Sequence, residues 1–211
     1  MKKMVLLFYL FLFPVPAVMA QEKVHAPIWN VGDKWVFTQG DIEVVAADKD
    51  SYTLNFSKST SFLENAGFVK IVFEKPTLYR IYTLKGEKRE KYTDRLRTIL
   101  NFPFNPGKHW QNTYSGKVLT GPYAGRVSHD RSESFTILGW EDVQVRAGNF
   151  KAIKLEVRLK VTDTSSYWGS VEGWSRYWYS PDVKYFVKCQ YDRLYFLGEK
   201  DWELASFELK K

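Results

Sequence analysis

One stretch of the sequence, TGPYAGRVSHDRSE at residues 120–133, places a histidine and two carboxylates close together. His129 is followed directly by Asp130, and Glu133 lies three residues further along the chain. Residues of these types can ligate a metal ion or transfer protons, and a mobile loop of this length can gather them. No HExxH-like spacing fixes two ligands on one face, so the sequence assigns no metal site and no catalytic residue.

Other motifs of common enzyme classes are missing from the sequence. There is no G-x-S-x-G nucleophile elbow, no phosphate-binding P-loop and no G-x-G-x-x-G dinucleotide fingerprint. Paired carboxylates of the glycosidase type can be drawn from the 24 acidic residues, but any chain with that many acids offers such pairs. These absences favour a protein without catalytic activity or cofactor, and an enzyme acting on cell-wall or polysaccharide material is the alternative.

Aromatic side chains are the strongest compositional signal, at 17% of the chain. They are densest in YWGSVEGWSRYWYS at residues 167–180. Tryptophan and tyrosine combine a large apolar ring with one polar atom, which suits them to stack on sugars or to line a lipid groove. Trp168, Trp174 and Trp178 are therefore the candidate ligand-binding residues. The alternative is that these rings fill the core of a sheet that has little helical cover.

Alternating apolar and charged residues indicate the elements that would position these groups. Within the stretch from Lys151 to Thr162, the odd positions from 153 to 161 are aliphatic and the even positions from 154 to 160 are charged, which gives a strand one dry face and one wet face. Further strands, rich in β-branched and aromatic residues, are predicted at GFVKIVFE, TLYRIYTL, RLRTILNF, SESFTILGW, VKYFVKCQY and DWELASFEL. Short joints separate them at KGEK, NPGK and AGN.

The predicted fold class is all-β with minor α. The segment SFLENAG at 61–67 is compatible with one helical turn, and no amphipathic helix of ordinary length is evident. The strand pattern implies roughly ten or more antiparallel strands. We expect them to form a single strongly curved antiparallel sheet, or half-barrel, within one β domain spanning residues 21–211.

The first 20 residues have the layout of a cleaved signal peptide. Lys2 and Lys3 precede the apolar run 5–13, and small residues precede Gln21. The run is far shorter than the roughly 20 residues that a membrane-spanning helix needs. Because Gln21, not cysteine, follows the predicted cut, we expect an exported, periplasmic or secreted protein that is not lipid-anchored and is at most peripheral to the membrane.

Net charge and cysteine content limit the kinds of partner and of site that the chain can have. Removing Lys2 and Lys3 lowers the formal net charge from +7 to +5, so an anionic envelope partner is allowed, while export disfavours nucleic acid. Cys189 is the only cysteine, which excludes an intramolecular disulfide and a cysteine-rich metal site. Its position on an alternating strand predicts a small buried hydrophobe.

Two segments resemble motifs of an uncharacterised bacterial envelope family, a domain of unknown function. VRAGNFKAIK at 145–154 resembles the pattern V-P-A-G-x-F-x-A-x-K, and WYSPDVKYFVK at 178–188 resembles W-Y-[SA]-P-x-V-G-x-V-K. Arg146 stands where proline is usual, and Lys184 stands where glycine is usual. The resemblance implies a half-barrel sheet similar to periplasmic lipoprotein carriers (LolA/LolB-like), and it implies no established activity.

Elementary backbone chemistry assigns both motifs to turns. Gly148 can adopt a positive φ at a hairpin corner without a Cβ penalty. Pro181 cannot donate to a strand ladder, so Ser180-Pro181-Asp182 should end one strand before the next begins. The leading hypothesis is then a non-catalytic protein that binds a lipid, lipoprotein or glycolipid in the concavity of the sheet. An envelope scaffold or assembly protein, recruiting a partner strand at a sheet edge, is a further alternative.

Overall fold

The computed structural model describes residues 23–56, 68–75, 79–84, 87–89, 100–117, 128–163, 170–192 and 201–211. The predicted signal peptide, the helical turn predicted at 61–67 and Trp168 lie outside these ranges. The described residues contain no helix, and so none of them belongs to a helix that could cross a bilayer.

Twelve β-strands make up the regular structure of the described residues. They are β1 Lys34–Phe37, β2 Gly40–Ala47, β3 Ser51–Phe56, β4 Phe68–Glu74, β5 Tyr79–Leu84, β6 Glu87–Arg89, β7 His109–Lys117, β8 Ser128–Val145, β9 Gly148–Asp163, β10 Ser170–Ser180, β11 Tyr185–Asp192 and β12 Trp202–Glu208. All pairs are antiparallel, in the order β6-β5-β4-β3-β2-β1-β12-β11-β10-β9-β8-β7. This single sheet is not closed into a barrel, because β6 and β7 remain at opposite edges. The all-β prediction is confirmed.

The alternation predicted for β9 sets the two faces of the sheet. Ile153, Leu155 and Val157 are buried, whereas Lys154 and Arg158 lie on the opposite side. Successive side chains of a strand point to opposite faces, so cross-strand partners of Leu155 share its face. We call the face of Leu155 the inner face and that of Lys154 the outer face.

The hairpin between β8 and β9 turns one residue earlier than predicted. Val145 pairs with Gly148, so Arg146 and Ala147 form a two-residue loop. Gly148 has a φ of +132°, in the region that favours glycine. A Cβ there would lie no closer than 4.0 Å to the Phe150 ring, so backbone conformation, not space, requires glycine.

The tip of this hairpin shows how strongly the sheet curves. Pairing of β9 with β10 ends at Ile153, and residues 148–152 extend beyond it. In a flat sheet β9 and β12 would be about 14 Å apart, three strand spacings. The Ala147 N–H nevertheless donates a 3.0 Å hydrogen bond to the carbonyl of Leu204 in β12. The hairpin tip therefore folds across the end of β10 and β11, which confirms the predicted curvature.

The second motif forms the turn between β10 and β11, as predicted. Strand β10 ends at Ser180 and β11 begins at Tyr185. Val183 is fully buried within this turn, and its carbonyl accepts a 2.8 Å hydrogen bond from the indole of Trp35. Lys184 has a φ of +58°, a left-handed conformation that is unusual for a residue with a side chain.

Three segments cover the same end of the inner face, which we call the closed end. The indole of Trp29 donates to the carbonyl of Lys184 at 2.8 Å. Phe104 is fully buried against Tyr179, with ring centroids 5.8 Å apart. The hairpin tip adds Val143 and Val145, both buried. These contacts fill this end with the protein's own side chains.

Two expectations from the sequence are corrected by the strand bounds. The prediction of a mobile loop at 120–133 is wrong for residues 128–133, which are part of β8: Ser128 pairs with β7, and residues 129–133 pair with both β7 and β9. Residues 120–127 lie outside the described ranges. Leu100–Phe102, predicted to belong to a strand, lie in irregular chain that packs on Tyr179 instead. Residues 128–133 form a strand despite their polar composition, because hydrogen bonds to the neighbouring strands stabilise them.

Candidate functional site

Cross-strand register places one row of side chains across the inner face. Ile137, Leu155, Tyr177, Cys189 and Trp202 are successive partners on β8 to β12. Cys189 lies between the two aromatic residues and is fully buried, as predicted for a small hydrophobe. The row changes from aliphatic to aromatic at β10, and this change marks the start of the candidate site.

Five partly buried aromatic residues adjoin this part of the inner face, and we call them the aromatic patch: Phe37, Tyr177, Tyr185, Tyr191 and Trp202. Phe37 contacts Trp202 at 4.8 Å and Tyr185 at 5.9 Å between ring centroids. Tyr177 contacts Tyr191 at 6.2 Å and Trp202 at 6.5 Å. The patch is therefore one continuous surface contributed by β1, β10, β11 and β12.

The patch differs from the aromatic core beside it. Trp35 stacks on Tyr185 at 4.9 Å and is fully buried, and Tyr179 is buried next to Phe186. Burial raises the pKa of Tyr179 well above its ordinary value, because the phenolate would lack solvation. The five rings of the patch keep part of their surface accessible, and the Tyr177 hydroxyl lies 3.5 Å from that of Tyr191. The site thus offers apolar ring surface with a small polar component.

Polar residues interrupt the inner face further along β8. Asn112, Glu133, Leu159 and Gly173 form one row from β7 to β10. Glu133 is only 2% exposed, and the next residue along the same face, Phe135, is buried as well. Arg131 is two residues away on that face and is partly buried. The inner face is therefore apolar at Phe135 and Ile137 of β8 but carries charged residues at Glu133 and Arg131.

Trp178 lies on the outer face and is almost fully covered. Its register partners are Lys154 and Lys188, whose ammonium groups lie 4.9 and 5.2 Å from the indole centroid. Its indole N–H donates to Oε2 of Glu141 at 2.8 Å, and Lys154 contacts Oε1 at 2.9 Å. This indole bond is the main cause that holds the pKa of Glu141 below its ordinary value, with Lys154 adding to it.

Trp174 occupies the same outer face closer to the start of β10. The guanidinium of Arg176 lies 4.1 Å from its ring centroid. Arg176 also bonds Glu156 at 2.9 Å, and Arg158 bonds the other carboxylate oxygen at 3.0 Å. Burial raises the pKa of Glu156, but the two arginine hydrogen bonds outweigh it and leave that pKa below its ordinary value. On this part of the outer face, ion pairs therefore surround the rings of Trp174 and Trp178.

The structure separates the predicted ligand-binding tryptophans from the concavity. Trp174 and Trp178 face outward and are engaged by cationic side chains, whereas Trp168 lies outside the described residues. Sequence reasoning missed the aromatic patch because β10 carries aromatic residues on both faces, so alternation could not assign a side. The register of Tyr177 with Leu155, on the strand whose faces were predicted correctly, is the signal that identifies it.

The residues that could have formed a catalytic cluster do not converge. Asp130 and Glu133 lie on opposite faces of β8, because their positions differ by three and successive side chains of a strand alternate between faces. Asp130 is exposed and accepts a 2.6 Å hydrogen bond from Ser115, while Glu133 is buried on the inner face. For His129 only the backbone is described, and it pairs with Gly116. Within the described ranges no group of histidine, cysteine and acidic residues has the arrangement of a metal site.

Comparison with known proteins identifies the fold alone. Neither a protein-family model nor a curated protein sequence matches the chain. The fold is similar to that of a predicted lipoprotein from Parabacteroides distasonis, with a TM-score of 0.50 and 12% identity over 89% of this chain and 100% of the other. A Bacteroides fragilis protein, predicted to be exported and described as having a YmcC-like fold, gives a TM-score of 0.40 and 10% identity over 89% and 99% of the two chains.

Proposed function

We propose that this chain is an exported, non-catalytic envelope protein that holds an apolar or amphipathic ligand, such as a lipid, lipoprotein or glycolipid, on its inner face. The observation that carries the proposal is the aromatic patch, in which five rings remain partly accessible beside a closely packed core. Water-exposed ring surface is costly, and a ligand with an acyl chain would remove it from solvent.

The chemistry of the patch favours an amphipathic ligand over a purely polar one. Phe37 and Trp202 supply apolar ring surface, while Tyr177 and Tyr191 add hydroxyl groups at its margin. Aromatic residues with one polar atom suit a boundary between hydrocarbon and water. The fully buried Cys189 lies between Tyr177 and Trp202 and places no charge beside these rings.

The location is part of the same proposal. The first 20 residues have the composition of a signal peptide, and Gln21 at the expected cut offers no thiol for lipid attachment. The similarity in fold to a predicted lipoprotein agrees with an envelope setting and adds nothing about the ligand. The cell-wall enzyme has less support, because Asp130 and Glu133 face away from each other and share no site.

Quenching by a brominated lipid tests the proposal on the inner face. A brominated lysolipid should quench the intrinsic fluorescence of the protein, and Trp202→Leu should remove a large part of that quenching. Trp174→Leu is the matched control, because it removes a partly buried tryptophan from the outer face. Native mass spectrometry of protein from its own periplasm should then show a retained lipid.

Several results would overturn the proposal. Quenching that is absent, or that falls equally in the Trp202 and Trp174 variants, would remove the inner face as the binding surface. Loss of quenching in the Trp174 variant alone would transfer the site to the outer face. Circular dichroism of both variants shows whether each retains its sheet, so that unfolding is not mistaken for lost binding.

A further inference from the structure

The two charged residues on the inner face of β8 are unusual in their surroundings. Arg131 pairs with Val161, and Glu133 pairs with Leu159, so both are flanked by aliphatic residues of β9. Alternation assigns one other described lysine or arginine of β7 to β11 to this face, Lys151, which is exposed and pairs with the exposed Asp142 near the hairpin tip. The Nε atom of Arg131 is shielded from solvent although the residue as a whole is partly exposed.

Burial of these groups is unfavourable for folding on its own. A carboxylate and a guanidinium lose their hydration inside a protein, and a buried ion pair seldom exceeds an apolar pair of equal size in stability. Apolar side chains would complete the alternation that begins at Phe135 and Ile137. A ligand that carries charges of both signs would offer each of these two groups a partner of opposite charge.

Resting on the proposed function, we propose that Arg131 and Glu133 form a head-group subsite for a lipid whose head carries both a phosphate and a hydrogen-bond donor, as in phosphoethanolamine. Arg131 binds the anionic oxygens, because a guanidinium matches phosphate in charge and geometry. Glu133 accepts hydrogen bonds from the ammonium group, and Asn112, its partner on β7, adds a polar wall.

The distance between this subsite and the aromatic patch fits a single acyl chain. Tyr191 and Arg131 are three strands and four residues apart, or about 20 Å in a flat sheet and less in a curved one. One leaflet of a bilayer spans about 15 Å of hydrocarbon. The intervening positions on the inner face carry small or aliphatic residues, namely Val157, Leu159, Gly173 and Ser175. A chain can cross them between the polar head at β8 and the rings at β10 to β12.

Three ligands with the same tail separate the contributions of the head group. They are myristoyl lysophosphatidylethanolamine, myristoyl lysophosphatidylcholine, which has the phosphate but no ammonium donor, and monomyristin, which has neither. Affinity should decrease in that order when each ligand, below its micelle concentration, displaces the brominated lysolipid and restores the tryptophan fluorescence. Free phosphoethanolamine is added as a competitor to distinguish a lipid from a soluble phosphate compound.

Variants of Arg131 and Glu133 should affect the recognition of different parts of the lipid head group. Arg131→Gln should weaken the binding of both phospholipids by about tenfold or more, because it removes a charged hydrogen bond, and it should leave the binding of monomyristin unchanged. Glu133→Gln should abolish the preference for the ethanolamine lipid over the choline lipid. Arg158→Gln is the matched control, because it removes an arginine from the outer face of β9.

The outcomes distinguish this inference from the function on which it rests. If the wild-type protein binds none of the three ligands, the proposed function fails and the subsite fails with it. The subsite is overturned, and lipid binding remains, if the protein has equal affinity for all three ligands or if Arg131→Gln lowers the affinity for all three equally. Competition by free phosphoethanolamine at concentrations similar to that of the lipid would show that the tail is not required, and it would overturn the assignment of the subsite to a lipid.

Discussion

The backbone N–H of Ala147 donates a hydrogen bond of 3.0 Å to the carbonyl oxygen of Leu204, and so joins the tip of the β8–β9 hairpin to β12. Nearby, Arg146 contacts Glu203 at 3.0 Å and the ring of Phe150 contacts that of Phe207 at 5.9 Å. The tip is thus held by one backbone bond, one ion pair and one ring contact. Its conformation depends on Gly148, which leads to the first prediction.

Gly148→Ala should lower the free energy of unfolding by about 1–3 kcal/mol, because an alanine at a φ of +132° is strained whatever the space around it. Urea denaturation measures the change. The control is Asn149→Ala, an exposed neighbour for which we expect less than about 0.5 kcal/mol. Equal stability of the two variants would contradict a requirement for glycine at this turn.

Lys184→Gly should raise the free energy of unfolding by up to about 1 kcal/mol. Relief of a left-handed conformation is worth about 1–2 kcal/mol, and the greater freedom of glycine in the unfolded chain offsets about 0.4–1 kcal/mol of it. Lys184→Ala removes the same charge but keeps a Cβ, so it should give no such gain. A glycine variant no more stable than the alanine variant would show that the turn is unstrained.

Asp33→Ala should lower the free energy of unfolding by about 2–3 kcal/mol, because this fully buried carboxylate accepts hydrogen bonds from the backbone N–H groups of Asn30 and Lys210. Thermal and urea unfolding provide the measurement. Asp41→Ala removes an acid that only approaches Lys34 at 3.9 Å, and it should cost less than about 1 kcal/mol. A similar loss from both variants would contradict a special role for Asp33.

Stability should decrease in acid partly through Glu141. Its pKa lies below the ordinary value of 4.5, first because of the hydrogen bond from Trp178. A lowered pKa in the folded state contributes stability above about pH 4.5, and that stability is lost as the pH falls through the folded pKa. Glu141→Gln should therefore lose less stability than the wild type between about pH 5 and about pH 3, as urea midpoints at each pH would show.

Trp178→Phe tests the cause of that shift. The variant keeps an aromatic ring between Lys154 and Lys188 but has no N–H to donate to Glu141. The pKa of Glu141 should rise toward its ordinary value, as measured by NMR titration of its carboxyl carbon. An unchanged pKa in this variant would assign the shift to Lys154 and the other cations instead.

Local chemistry was sufficient to predict several elements of the fold. The alternation in β9 identified its buried residues, and Cys189 was correctly predicted to be buried. Pro181 has no N–H for a ladder, so the turn after Ser180 followed from the residue type. Gly148 was recognised as the residue with positive φ, although the corner itself lies one residue earlier. Each of these depends on interactions within a few residues along the chain.

The remaining features depend on contacts between distant segments. The polar sequence around Asp130 was predicted to be a loop, but pairing with β7 and β9 makes it a strand. The register on β10, which directs Tyr177 inward and Trp178 outward, is fixed by neighbouring strands and by a bulge between Trp178 and Tyr179. The aromatic patch therefore could not be assembled from the sequence, since it joins Phe37 to residues more than 100 positions away.

The pairing of β1 with β12 has a consequence for how the chain reaches its final state. Lys34 lies opposite Glu208, 174 positions later (208 minus 34), and among the described strands the β1–β12 ladder is the one that pairs the β1–β6 half of the sheet with the β7–β12 half. Closing a loop of that length is slow compared with forming the local hairpins. Until β12 is available for pairing, β1 and β11 both present open ladders, which are a known risk for aggregation. Correct folding therefore requires that the last strand of the chain reach these edges before another chain does.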